Sequence, residues 1–98
     1  MNDLAIEIIQ NYISDFENRQ SKYYWSKPWF KQNSYAKWAA EELLERVQNR
    51  NNMPAIYVIE DFIRLMDKYA CVNPHNSYMF SVAHDTAEDI LDFIFVAH

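Results

Sequence analysis

Glycine is missing from all 98 residues, where average usage would place about seven. Glycine lets a backbone take positive φ or approach a phosphate or oxyanion closely. Its absence excludes the phosphate-binding Walker loop, the dinucleotide fingerprint and the G-x-S-x-G nucleophile elbow together. The usual two-residue hairpin turns go with them. Cysteine is nearly missing too: Cys71 stands alone, so no internal disulfide forms and no paired-cysteine metal site exists. That usage fits a reducing cytoplasmic setting. No apolar run approaches the roughly 20 residues of a membrane span. The start, Met1-Asn2-Asp3, has no basic stretch of the kind that opens a signal peptide. No cofactor motif remains.

What is present suits an all-α fold. Half of the residues are apolar and 16% are aromatic, enough for the core of a single domain over residues 1–98. From Asp3 to about Gln20, Ala5, Ile9, Tyr12, Ile13 and Phe16 recur at helical spacing, with Asn2 or Asp3 as cap. A second helix is expected from Ser34 to about Gln48, with Ala36, Ala39, Ala40, Leu43, Leu44 and Val47 on its face. Glu42 and Arg46 stand in the favourable i, i+4 order. The asparagine-rich run 48–52 ends it in place of a glycine cap. The third helix, Pro54 to Ala70, carries the clearest stripe: Ala55, Val58, Ile59, Phe62, Ile63, Met66 and Tyr69. A fourth begins between Pro74 and Ser77 and reaches the last residues, with Phe80, Ala83, Ala87, Ile90, Leu91 and Ile94 inward. Phe93, Phe95 and Val96 make it apolar on a further side, which allows a homodimer. The expected architecture is a small three- to four-helix bundle. An aromatic-rich connection over residues 21–33 joins its first two main helices, because Pro28 forbids a continuous helix unless it falls in a first turn.

Charge is unevenly placed. The net value is −5, yet residues 19–37 hold five of the nine basic residues and no acid. Within 21–38, lysines alternate with rings. Tyr24, Trp25, Lys27, Trp29, Phe30 and Lys31 are the candidate contact residues, with Trp25 and Trp29 as anchors and the lysines as rim. Another protein is the expected partner. Single-stranded nucleic acid, whose bases stack on rings while lysines follow phosphates, ranks behind it. The plainer alternative is that Trp25, Trp29 and Phe30 fold back and close one end of the bundle.

The last 30 residues show the opposite balance. Asp85, Glu88, Asp89 and Asp92 lie at i, i+3, i+4, i+7, on one helix face with no basic residue on that helix. Such a row is either a solvated outer face or a surface for a basic partner. Pairing with the basic stretch would explain both clusters. His84 and Glu88 share the i, i+4 spacing of a chelating pair, but two local ligands do not make a metal centre, and a hydrogen bond from His84 to a carboxylate at the core's border is the expectation. Cys71 reads as a small apolar filler at a helix end, where the negative end of the dipole disfavours a thiolate. No nucleophile has a base beside it, so a non-enzymatic module is expected.

The segment 59–69, Ile-Glu-Asp-Phe-Ile-Arg-Leu-Met-Asp-Lys-Tyr, and the segment 81–92, Ser-Val-Ala-His-Asp-Thr-Ala-Glu-Asp-Ile-Leu-Asp, together resemble the C-terminal helical pair of small uncharacterised proteins of Gram-positive bacteria and their phages or mobile elements. The resemblance covers roughly the last 45 residues. It implies a helical fold and a mobile-element origin, and transfers no activity and no site residue. With the small size and the acidic row, it frames a second functional expectation: an inhibitor or regulator whose acidity occupies a basic nucleic-acid-binding groove.

Overall fold

A computed structural model describes residues 2–22, 27–50 and 52–97. Four α-helices make the fold: α1 (Asp3–Lys22), α2 (Lys27–Asn49), α3 (Ala55–Val72) and α4 (Ser77–Ala97), with a 3-10 turn at Pro74–Asn76 before the last. No strand occurs among the described residues. The all-α expectation therefore holds.

The largest departure is at the start of α2. Residues 27–33, expected in the aromatic connection, are the first two turns of the helix. Pro28 lies in the first turn, where a backbone N–H has no partner inside the helix and its loss costs nothing. The turns also need no left-handed backbone: no described residue has positive φ. Asn49 is helical and Asn52 does not take the expected glycine-like conformation, while Asn51 lies outside the described residues. The third helix closes on Asn73. Its backbone N–H and its side-chain Nδ2 both donate to the Tyr69 carbonyl, at 3.0 and 3.2 Å.

α1 packs on α2 and α3 on α4, and the two hairpins join chiefly through α2 against α4. Ala39 and Ala40 on one side and Ala83 and Ala87 on the other are all fully buried. Small side chains on both faces let these helix axes come close. Around this seam the core is filled by Ile9, Leu43, Val47, Val58, Ile59, Phe62, Ile90 and Ile94. The Arg46 guanidinium lies over the Phe62 ring, 5.4 Å from its centroid. It makes no ion pair with Glu42 among the described residues, so the expected helix pair is replaced by a cation–ring contact.

Asn2 departs from its expected role as well. Its buried side chain reaches the start of α3, accepting from the Ala55 N–H at 3.0 Å and donating to the Met53 carbonyl at 2.7 Å. It thus caps α3 from across the bundle, and its own carbonyl takes the Ile6 N–H. Asn33 does the matching work at the other end. Its Nδ2 donates to the Phe16 carbonyl at 2.7 Å and pins α2 to α1.

Candidate functional site

Each of three helices turns one stripe with i, i+3, i+4, i+7 spacing toward a common space. From α1 come Tyr12, Asp15, Phe16 and Arg19, and from α2 Trp29, Gln32, Asn33 and Ala36. From α4 come Val82, Asp85, Thr86 and Asp89. Together they enclose a cavity of about 350 Å³, at the lower end of the range typical of small-ligand sites. It lies toward the C-terminal end of α1 and the N-terminal end of α2. Phe16, Ala36 and Val82 give apolar patches, and the remaining lining is polar or aromatic.

The site joins the two clusters that the sequence sets apart. Trp29 from the aromatic-basic stretch faces the same cavity as Asp85 and Asp89 from the acidic row. Trp29 is 42% exposed and Phe30 37%, so these rings neither seal the bundle nor stand free of it. Lys31 is exposed, with its ammonium 5.9 Å from the Tyr35 ring centroid. Lys27 opens α2. Tyr24 and Trp25 lie outside the described residues.

The acidic row borders two clefts along α4. Its four carboxylates are all exposed, but they divide between two clefts. Asp85 and Asp89 face the cavity, while Glu88 and Asp92 line a shallower groove against α3 with Glu60, Ile63, Arg64 and Leu91. Arg64 there pairs with Asp61 on its own helix. Positions four apart turn together, so each i, i+4 pair faces one cleft, and His84 bridges the two pairs through Asp85 and Glu88.

Electrostatically the cavity is negative. Three carboxylates, Asp15, Asp85 and Asp89, meet one guanidinium, Arg19. Arg19 sits over the Phe16 ring at 5.7 Å from the centroid and makes no ion pair among the described residues. Tyr12 registers this field. Its phenol pKa is raised above the ordinary value, first by burial, then by the charges of Asp89 and Asp15. Its hydroxyl donates to the Asp89 carbonyl at 3.5 Å, and its ring meets Phe93 edge-on at 6.1 Å.

His84 borders the core beside the cavity. Nδ1 lies 3.2 Å from Asp85 Oδ1 and Nε2 3.4 Å from Glu88 Oε1, as a carboxylate-bonded histidine should. The three side chains fall within 4.8 Å of one another. Both ring nitrogens are turned to carboxylates, and all three ligands would come from a single exposed turn. Cys71 corrects its sequence reading: it is exposed at the end of α3 and fills no core space. What the sequence reading missed are the stripe of α1, with Asp15 and Arg19, and the buried pair Asn33 and Thr86. A polar residue at a core-facing position was the available sign for the latter two. No described helix is long and apolar enough to cross a membrane.

Compared with known proteins, the chain matches no family model, no curated protein and no solved structure.

Proposed function

We propose that the chain is a non-enzymatic interaction module whose partner is another protein with a basic surface, engaged at the cavity between α1, α2 and α4. The observation that carries this reading is the meeting of Trp29 with Asp85 and Asp89 on one cavity. Rings give an interface its anchors, and carboxylates around them select cations and speed encounter with a basic partner. The same carboxylates repel phosphate, so single-stranded nucleic acid fits this surface poorly. A regulator of phage or mobile-element origin that covers a basic nucleic-acid-binding groove is a special case of the same chemistry, favoured by the exposure of all four carboxylates of α4. No Lys or Arg on that helix offsets them.

The test is retrieval of the partner from the source cells with tagged protein. The combined substitution Asp85→Lys, Glu88→Lys, Asp89→Lys and Asp92→Lys is expected to abolish retrieval of a basic partner while the helical circular dichroism persists. Retrieval at wild-type level by the folded variant sinks the proposal. Competition by added nucleic acid separates the groove-covering case from other basic partners.

A further inference from the structure

The cavity holds more information than its charge. Two of its polar residues are almost wholly buried, Asn33 at 4% and Thr86 at 7% exposure. Asn33 Nδ2 is engaged with the Phe16 carbonyl, but no hydrogen bond among the described residues takes up its Oδ1. None engages the Thr86 hydroxyl either. Neither atom is sealed from solvent: the buried side-chain nitrogen or oxygen without a partner among the described residues is Arg46 Nε, whereas Asn33 and Thr86 open onto the cavity they line. A helix needing only to pack would place alanine or valine at position 86, as it does at Val82, Ala83 and Ala87. The amide oxygen accepts and the hydroxyl both donates and accepts, and both stand beside the carboxylates of Asp15, Asp85 and Asp89.

We propose that this cavity seats the guanidinium group of an arginine side chain carried by the partner. The inference rests on the reading above that the partner is a basic protein, and adds which residue it offers. Acceptors converge from three helices: Asp15 from α1, Asn33 from α2, and Asp85, Thr86 and Asp89 from α4. A planar fork of five N–H donors can meet acceptors spread in this way, whereas an ammonium presents a compact point charge. Tyr12 and Trp29 line the wall, and guanidinium groups pack well against aromatic rings. Arg19 already rests on an aromatic face at the same site, and the carboxylates outnumber it.

The experiment is a proton–nitrogen NMR titration of the intact chain with N-acetyl-arginine methylamide. The neutral isostere N-acetyl-citrulline methylamide and N-acetyl-lysine methylamide serve as comparisons. The arginine compound is expected to move the Trp29 indole resonance, identified by Trp29→Phe, together with the Asn33 side-chain amide and the Thr86 backbone amide. Citrulline is expected to move none of them, and lysine to bind several-fold more weakly. Asp85→Asn with Asp89→Asn is expected to weaken arginine binding about tenfold or more, and Thr86→Val to weaken it several-fold in a folded protein.

Equal response to lysine overturns the guanidinium assignment, and no response to arginine overturns the site. If arginine leaves these resonances still while the partner is nevertheless retrieved through the acidic helix, the inference fails and the proposed function stands. If arginine binds as expected but the charge-reversed protein still retrieves the partner, the cavity holds its guanidinium and the interaction reading fails.

Discussion

The same three helices build two unlike regions. At one end of the bundle, α1, α2 and α4 present Ile9, Leu43, Val47, Ile90 and Ile94, fully buried, with Phe62 of α3 closing the space. At the other end, the same spacing brings Asp15, Asn33, Thr86 and Asp89 together around a cavity. Helical periodicity places the residues in both cases, and their chemistry decides whether the space closes. The apolar end explains why the chain folds. The polar end holds α2 to α1 through Asn33 and leaves a cavity lined by carboxylates and rings.

The sharpest way to break this contrast is to compare one ring from each region. Phe62→Ala removes a core ring 1% exposed and is expected to cost about 3–5 kcal/mol. It also strips the Arg46 guanidinium of its aromatic face. Trp29→Ala, at 42% exposed, is expected to cost only about 1 kcal/mol despite the larger ring. Urea denaturation monitored by circular dichroism measures both. Equal losses would mean that Trp29 belongs to the core, and the division into two regions would fall.

A smaller effect separates the two buried asparagines. Asn2→Ala strands the Ala55 N–H and the Met53 carbonyl at the start of α3, neither of which has a partner within that helix. A loss of about 1–3 kcal/mol is expected. Asn33→Ala removes one donor from the Phe16 carbonyl, which lies inside α1 and keeps its place in that helix's own hydrogen-bond ladder. The expected loss is about 1 kcal/mol or less. The same denaturation experiment ranks them, and the reverse order would place the structural weight at the cavity.

Much of the apolar region is legible in the sequence, because a stripe such as Val58, Ile59, Phe62 and Met66 announces both its helix and its inward face. The start of α2 was not, since a proline in a first turn looks the same as a proline that breaks a helix. Asn2 reads as a local cap because nothing in linear order shows that residue 55 lies beside it. The acidic stripe of α4 was visible, but not its division between two clefts, which depends on where α1 and α3 pack. The cavity itself escaped for a related reason. Three polar stripes, each resembling an ordinary helix edge, become a site only when three helices converge, and α1 hid its share behind Tyr12 and Phe16.

The finest effect concerns the Tyr12 phenol, which reports how strongly the polar region holds its field. Burial raises its pKa, and Asp89 and Asp15 raise it further. A phenol whose folded pKa exceeds its unfolded value stabilises the fold below the unfolded value, near 10. That contribution is lost as pH rises through the folded value. Asp15→Asn with Asp89→Asn is expected to bring the titration back toward the ordinary value without erasing the part due to burial. The alkaline loss of stability from this group shrinks accordingly. Tyrosinate absorbance, read as the difference from Tyr12→Phe, follows that single ring. A guanidinium bound in the cavity is expected to act in the same direction, favouring the phenolate, and by reciprocity to bind more tightly as pH climbs toward that range. If removing both carboxylates leaves the Tyr12 titration where it was, water screens them fully from the ring. The cavity would then be no more enclosed, electrically, than the outer face of α3.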